Sequence, residues 1–276
     1  MSQSAYYELK ETLLLAKGIN LELAGRTILR DVNLEVKNIH RPGLTQGQVV
    51  GLLGPSGMGK TRLFRILAGL DEPDSGTVDV GIPLAPVHRG LVGVVAQNYP
   101  LFDHRTILGN LRVAGGQSGM DRSAADQKGM EFLKRFGLED HANKYPSQIS
   151  GGQRQRVAIA QQFMCSDHLL LMDEPFSGLD VNAVDTLCEF IQEVAASDEM
   201  KTLVIVTHDI AAAIEVCDTI WVLGRDRNAD GSIIPGARIV HTLDLIERGL
   251  AWRKDILNDP AFLETVREIR QMFPKL

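Results

Sequence analysis

Residues 54–61 have the sequence GPSGMGKT, and this stretch restricts the possible folds more than any other part of the chain. It fits the pattern G-x-x-x-x-G-K-[ST], in which successive backbone N–H groups turn inward around an anion. The short apolar run 49–53 precedes it, and the apolar residues within 63–67 follow at helical spacing. Strand, glycine loop and helix in this order predict an α/β fold with a parallel sheet and a phosphate site at a helix N-terminus.

Within this loop, two side chains carry most of the predicted chemistry. Lys60 would place a point charge beside the β- and γ-phosphates of a nucleotide, and the Thr61 hydroxyl would ligate Mg²⁺. The other loop residues would contact the phosphates, chiefly through backbone N–H groups. They are Gly54, Pro55, Ser56, Gly57, Met58 and Gly59.

Two carboxylates end the apolar run 168–172. The carboxyl ends of parallel strands meet at one sheet edge, so Asp173 and Glu174 should point toward the phosphates. We expect Asp173 to hold Mg²⁺ through water. Glu174 would be the general base for hydrolysis, or would orient the attacking water.

A second glycine-rich helix start lies at 149–156, with the sequence ISGGQRQR. Its anion-binding residues would be Ser150, Gly151, Gly152 and Gln153. One nucleotide does not need two phosphate cradles within one chain. We therefore predict that this second cradle closes on a nucleotide held by another subunit.

The composition narrows the classes of protein that the chain can belong to. The 276 residues are 44% hydrophobic, which is enough for a full core, and the formal net charge of −6 speaks against a nucleic-acid partner. Three separated cysteines without a C-x-x-C spacing indicate reduced thiols in a cytoplasmic protein. No signal peptide and no membrane-spanning run is recognisable, so association with a membrane would need a partner.

Apolar spacing divides the chain into regions. Short alternating runs before residue 37 predict antiparallel strands, 37–46 a loop, and about 105–165 mainly helices. Strand and helix then alternate to residue 223. Asp259 and Pro260 would begin a final amphipathic helix.

Taken together, these motifs resemble the nucleotide-binding subunit of ATP-binding-cassette (ABC) transporters. Residues 149–153 are similar to the family signature L-S-G-G-Q, with Ile in place of Leu. Asp173, Glu174 and Pro175 match the end of its Walker B motif, and 176–180 looks like its D-loop.

The resemblance extends to single residues. It identifies His208 as the switch histidine, which would bond the γ-phosphate. Gln97 would be the Q-loop glutamine, touching Mg²⁺ or the attacking water and linking the site to a helical subdomain. Asp180 would lie near a dimer interface and complete the nucleotide-binding set together with Arg62, which stands where Thr is usual.

The resemblance implies a P-loop NTPase of the ABC-ATPase fold, with a mixed sheet core, an antiparallel β subdomain and a helical subdomain. The ATPase domain would span 1–225, with the helical subdomain inserted at about 98–165, and 226–276 would be a C-terminal extension. The implied cofactors are ATP and Mg²⁺. Leu23 stands where many members stack an aromatic residue on adenine, and Tyr6 or Tyr7 is the alternative.

The resemblance also implies partners and a location. The chain would pair with a second copy or a homologous ATPase, bind integral membrane permease subunits on the inner face of the cell membrane, and serve import of a small solute with a solute-binding protein. Residues 98–105 (NYPLFDHR) would receive a permease helix or pack inside the helical subdomain. The alternatives are a lipid-transport or export complex and a non-transport ABC ATPase. A degenerate cassette, which would bind nucleotide without hydrolysing it, is a further alternative. The presence of Lys60, Asp173, Glu174 and His208 argues against it.

Overall fold

A computed structural model describes residues 7–40, 47–96, 99–165, 169–196, 202–253 and 255–276. Its strands are β1 (Glu8–Leu23), β2 (Arg26–His40), β3 (Gln48–Leu53), β4 (Ser75–Val80), β5 (Ala85–Pro86), β6 (Gly93–Val95), β7 (Leu169–Asp173), β8 (Thr202–Thr207), β9 (Thr219–Gly224) and β10 (Arg238–Asp244). Its α-helices are α1 (Lys60–Leu67), α2 (Ile107–Gln117), α3 (Arg122–Arg135), α4 (Gly151–Cys165), α5 (Val181–Ala195), α6 (Ile210–Val216) and α7 (Pro260–Met272).

The strands form two sheets. The larger has the order β10-β9-β3-β8-β7-β6 and is parallel except for β10, which is antiparallel to β9. The smaller has the order β2-β1-β4-β5 and is antiparallel. Every residue of the central strands β3 and β8 is buried, as expected of strands covered on both faces.

Alternating side chains of the larger sheet divide the core into two clusters. Val50 and Leu52 join a cluster with α1 and the smaller sheet, whereas Val49 and Leu53 join a cluster with α2 to α7. This alternation is the two-residue period of a strand. The larger sheet is therefore a rigid layer between helices and a second sheet.

Three strands of this layer end at the same edge. Leu53 pairs with Thr207, and Asp173 pairs with Val206, so β3, β7 and β8 finish side by side. The loop 54–59, the segment after β7 and the segment after β8 consequently share one edge, as predicted for the nucleotide site.

The helical insertion lies between β6 and β7 and contains α2, α3 and α4. Asp121 begins α3 by accepting a hydrogen bond from the Ala124 N–H at 2.8 Å. None of the helices in the described part of the chain is long and apolar enough to cross a bilayer.

Two regions differ from the sequence predictions. The loop predicted from Lys37 onward was wrong for its first residues, because β2 continues to His40 by pairing with Glu8 of β1; the remainder, 41–46, lies outside the described residues. The strand β10 was not predicted. Its residues are mostly half-buried or exposed, so no alternation in hydrophobicity marks them.

Candidate active site

The loop 54–59 requires glycine where it passes close to other backbone or bends sharply. A Cβ on Gly54 would lie 2.7 Å from the Leu223 carbonyl oxygen, which leaves no room for a side chain. Gly59 has a φ of 95°, and a Cβ there would lie 3.0 Å from Ile28. Met58 buries its side chain in the core, so the loop presents backbone groups around the start of α1.

Lys60 is a buried cation held by the loop itself. Its side chain is 8% exposed, and Nζ donates hydrogen bonds to the carbonyl oxygens of Gly54 at 2.8 Å and Pro55 at 3.2 Å. Nζ also lies 3.9 Å from Glu174 Oε1. Burial lowers the pKa of Lys60, while Glu174 and Asp173 raise it. The ammonium is thus fixed between the loop and the carboxylates.

Asp173 ends β7 beside this lysine. Its carboxylate accepts a hydrogen bond from the Thr61 hydroxyl, and its pKa is raised by burial and by the neighbouring Glu174. Its Oδ1 is buried and has no hydrogen-bond partner among the described residues. A buried unpaired oxygen costs roughly 1–3 kcal/mol, so this atom favours a cation or a cation-bound water. Carboxylate and hydroxyl oxygens suit Mg²⁺, and the residues therefore fit the predicted ion.

Glu174 has a strained backbone that aims its carboxylate at the end of β8. Its φ is 48°, uncommon outside glycine, and its N–H donates to the Val206 carbonyl oxygen at 2.7 Å. Oε2 accepts from Thr207 Oγ1 at 3.1 Å and lies 2.8 Å from His208 Nδ1. Thr207 was not singled out in the sequence, although its place at the strand end beside His208 is the signal that could have identified it.

Two long-range contacts hold the segment that follows Glu174. The Pro175 carbonyl oxygen accepts from Gln155 Nε2 at 3.1 Å and from the Tyr99 hydroxyl at 2.9 Å. Gln155 is buried in α4, and burial raises the pKa of Tyr99 to about 12, which keeps its hydroxyl a donor. Neither contact was predicted, because the partners are 20 and 76 residues from Pro175.

The second glycine-rich start has a different environment. The Ser150 N–H donates to Gln153 Oε1 at 2.9 Å, and the Gln153 N–H donates to Ser150 Oγ at 3.2 Å, a reciprocal cap of α4. A Cβ added to Gly151 or Gly152 would meet nothing within 4 Å. In the described part of the chain, no hydrogen bond or ion pair joins 150–153 to 54–61. The two starts are not brought together within one chain.

The remaining predicted site residues lie outside the loop 54–61 and the start 150–153, and one of them, Arg62, directly follows the loop. Asp180 is exposed and caps α5 by accepting from the Ala183 N–H at 3.0 Å. Arg62 lies 3.5 Å from Asp71 and forms an ion pair with it. Gln97 lies outside the described residues.

The predicted adenine contact involves the first hairpin. Leu23 is 38% exposed at the end of β1, and it is available for packing. The Tyr7 hydroxyl donates to Asp244 Oδ2 at 3.2 Å, so this ring is engaged beside β10. Tyr6 lies outside the described residues.

Comparison with known proteins identifies the family. A family model described as ABC transporter matches residues 38–177. The sulfate/thiosulfate import ATP-binding protein CysA of Bacillus cereus is 36% identical over 219 residues, which cover 76% of this chain and 58% of that protein. The probable amino-acid import ATP-binding protein YxeO of Bacillus subtilis is 36% identical over 233 residues, 80% of this chain and 88% of that protein.

A solved structure agrees in fold. The structure of cbiO1 from Clostridium perfringens, part of the ABC transporter complex cbiONQ, superposes with a TM-score of 0.72 over 96% of this chain and 97% of that chain, at 23% identity. The predicted family and fold class are confirmed, and the named relatives agree with the predicted import ATPase. The chain belongs to the ABC transporter family and has the ATPase fold of that family's ATP-binding subunits.

Proposed function

We propose that this chain is the ATP-hydrolysing subunit of an ABC importer for a small solute. The observation that carries the proposal is one cluster at the end of the parallel strands. There a buried Lys60, a fixed Glu174 and an Asp173 oxygen without a partner among the described residues meet at the loop 54–61. Burying the charged Lys60 beside two partly buried carboxylates costs free energy, and a structural role alone does not explain that cost.

The loop would bind the triphosphate. Its backbone N–H groups and the N-terminus of α1 would face the phosphate oxygens, and Lys60 would neutralise charge between the β- and γ-phosphates. Thr61 and Asp173 would hold Mg²⁺, which would draw charge from the phosphate oxygens when bound. Asp173 would thereby gain the partner that its Oδ1 lacks among the described residues.

Glu174 would act as the general base. A water oxygen attacks the γ-phosphorus, its proton passes to the Glu174 carboxylate, and the bond to the β-phosphate oxygen breaks to give ADP and inorganic phosphate. His208, 2.8 Å from Glu174 Oε2, would orient that carboxylate and bond the γ-phosphate. The hydrogen bond that the Thr207 hydroxyl donates to Glu174 Oε2 holds the carboxylate in the same orientation.

A second copy would complete the site. The start 150–153 has open space above both of its glycines, so a phosphate held by another chain can approach it from outside. In the proposed head-to-tail dimer, each nucleotide lies between the loop 54–61 of one copy and 150–153 of the other. Hydrolysis would open this dimer.

Coupling to import would use permease subunits, and the segment after β6 is the proposed docking region. Phe102 is 42% exposed, whereas Tyr99 and Leu101 are half-buried against the core. Phe102 is thus the residue that a permease helix would contact, and a solute-binding protein would supply the solute. Attachment through permeases would place the chain at the inner face of the cell membrane.

Two measurements test this function. The purified chain should hydrolyse ATP in a Mg²⁺-dependent manner, and Lys60→Ala should remove that activity. Chains that co-purify with it from membranes should include an integral membrane permease. The proposal fails if neither the free chain nor the co-purified complex hydrolyses ATP. Co-purification with the membrane subunits of a lipid-transport or export complex would instead support those alternative functions.

A further inference from the structure

A groove of about 470 Å³ lies next to the nucleotide site, and the C-terminal helix forms part of its wall. One side consists of Pro55 and Ser56 from the loop and of residues 208–211 at the start of α6. The other side consists of Arg270 and Phe273 at the end of α7. The final helix therefore borders the loop 54–61, although the two are more than 200 residues apart in the sequence.

The helix α7 is held firmly in this position. Asp259 caps it by accepting from the Ala261 N–H at 2.9 Å, and Phe262 and Ile269 are buried in the core. An ion pair between Arg248 and Glu268 joins it to the segment after β10. Arg270 and Phe273 consequently lie at the end of a packed helix, which places them on the groove.

Arg270 supplies a positive charge on the groove that is not held in an ion pair within the described part of the chain. Its side chain is exposed and makes no hydrogen bond or ion pair with any residue that the structure describes. Asp209, the acidic residue of the opposite wall, caps α6 by accepting from the Ala212 N–H at 3.1 Å, and it forms no ion pair with Arg270 in the described part of the chain. The groove thus offers a free guanidinium beside the half-buried ring of Phe273.

The segment 179–183 of the same chain exposes a negative charge and an apolar side chain. The carboxylate of Asp180 is exposed, and Val181 next to it is 76% exposed, although it is apolar. Leu179 and Ala183 line a pocket together with Ser150 and Gly152. The segment 179–183 is therefore adjacent to the second glycine-rich start.

We propose that the end of α7 is a receptor for a second copy of this chain, in which Arg270 pairs with the partner's Asp180 and Phe273 contacts the partner's Val181. The inference rests on the proposed function. If 150–153 of one copy closes on the loop 54–61 of the other, the neighbouring segment 179–183 arrives beside Pro55 and Ser56. Charge and apolar surface then match across the groove.

The test measures the ATP-driven dimer of the full chain. The Glu174→Gln variant is used throughout so that ATP is not consumed, and the dimer dissociation constant is measured by analytical ultracentrifugation. Arg270→Gln should weaken the dimer by about 2- to 30-fold, because an exposed ion pair is lost at each of two symmetric positions. Arg267→Gln, an exposed arginine of the same helix outside the groove, should leave the constant unchanged.

A double-mutant cycle identifies the partner of Arg270. Asp180→Asn removes the charge but keeps an oxygen that can cap α5. It should weaken the dimer as much as Arg270→Gln, and the double variant should be no weaker than either single variant.

The possible failures are distinguishable. If the Glu174→Gln chain does not dimerise with ATP, the proposed closure fails, and this inference fails with it. If it dimerises but Arg270→Gln behaves like Arg267→Gln, or the effects of Arg270→Gln and Asp180→Asn multiply independently, the inference is wrong and the proposed function stands.

Discussion

The two helix starts of this chain are both rich in glycine, but they have opposite environments. At α1, Lys60 is buried, its Nζ is bonded to the loop carbonyls, and it lies 3.9 Å from Glu174 Oε1. At α4, the side chains of Ser150 and Gln153 bond, among the described residues, only within their own turn or to His141, and both glycines face open space. The first start is assembled within the chain, and the second is a surface.

This difference indicates how one chain can carry two phosphate cradles for one reaction. A glycine turn gives N–H donors at any helix start, but the reaction also needs a cation, a base and a metal ligand. Within the part of the chain that the structure describes, these groups come together at the edge of the larger sheet. The α4 start can contribute donors to a site whose other groups come from a second copy. Gln155, one turn beyond Gly151, donates a hydrogen bond to the Pro175 carbonyl oxygen. This bond links the exposed start of α4 to the segment that follows Glu174.

The largest predicted effect is at the buried site. Glu174→Gln removes the proton acceptor and leaves Lys60 and the loop in place, so ATP hydrolysis should fall by about 10²- to 10⁴-fold while ATP binding persists. Steady-state phosphate release and nucleotide titration measure the two effects. Glu72→Gln, an exposed substitution of the same kind, is the control. Turnover near that of the unmodified chain would remove Glu174 from the role of base.

The exposed site should respond differently. Ser150→Arg should leave ATP binding by the monomer nearly unchanged, because Ser150 contacts no residue of the loop 54–61 in the described structure. It should lower hydrolysis by about 10²-fold or more by blocking closure on the partner. Ser150→Ala loses the same cap, at a cost of about 1 kcal/mol, without the bulk, and should retain most activity. Loss of monomer binding in Ser150→Arg would place both starts at one nucleotide.

A smaller effect is expected at the proposed permease contact. Phe102→Asp places a charge on an exposed ring, so permease co-purification should fall by about tenfold, as for a moderate interface residue. ATP hydrolysis by the free chain should persist, since Phe102 has no contact with the site residues described. Leu101→Asp, at a half-buried position, should instead lower the melting temperature. Unchanged co-purification of Phe102→Asp would move the docking region elsewhere.

The smallest effect concerns stability without nucleotide. Because burial raises the pKa of Asp173, the stability linked to its carboxyl is present below its ordinary pKa of 3.8 and is lost as the pH rises through the raised value in the folded chain. Asp173→Asn should therefore stabilise the nucleotide-free chain at pH 7 by about 1 kcal/mol and have little effect near pH 3.5. Denaturant titration at both pH values measures this gain, with the exposed substitution Asp103→Asn as the control. A loss of stability at pH 7 would contradict the burial argument.

The sequence predicted the chemical groups of the site and missed the groups that hold them. Lys60, Asp173 and Glu174 each lie within a short motif whose order of strand and turn fixes their position at one sheet edge. The hydrogen bonds of Gln155 and Tyr99 to Pro175 depend on how the helical insertion packs, and no local pattern encodes that packing. Long-range contacts between polar side chains and backbone carbonyls are therefore visible only in the folded chain.

The fold shows the same distinction at its C-terminal end. The caps and apolar face of α7 were predictable, because Asp259, Pro260, Phe262 and Ile269 are close in sequence. Its place beside Pro55 and Ser56 was not, since it depends on β10 extending the sheet next to β9. Mostly exposed or half-buried edge strands such as β10 give no clear alternation, so propensity and pattern do not reveal them.

The most direct test of a nucleotide shared between two copies uses mixed dimers. A chain with Lys60→Ala and a chain with Ser150→Arg, both also carrying Glu174→Gln, are given different tags and purified as the heterodimer with ATP. In the head-to-tail arrangement, one interface contains both defects and the other contains neither. We expect one ATP occluded between the two copies of each heterodimer and no occluded ATP in either variant alone, although the Ser150→Arg monomer still binds ATP reversibly. If the two glycine-rich starts serve the same nucleotide within one chain, both sites of the heterodimer are damaged, and the absence of any occluded ATP would contradict the shared site.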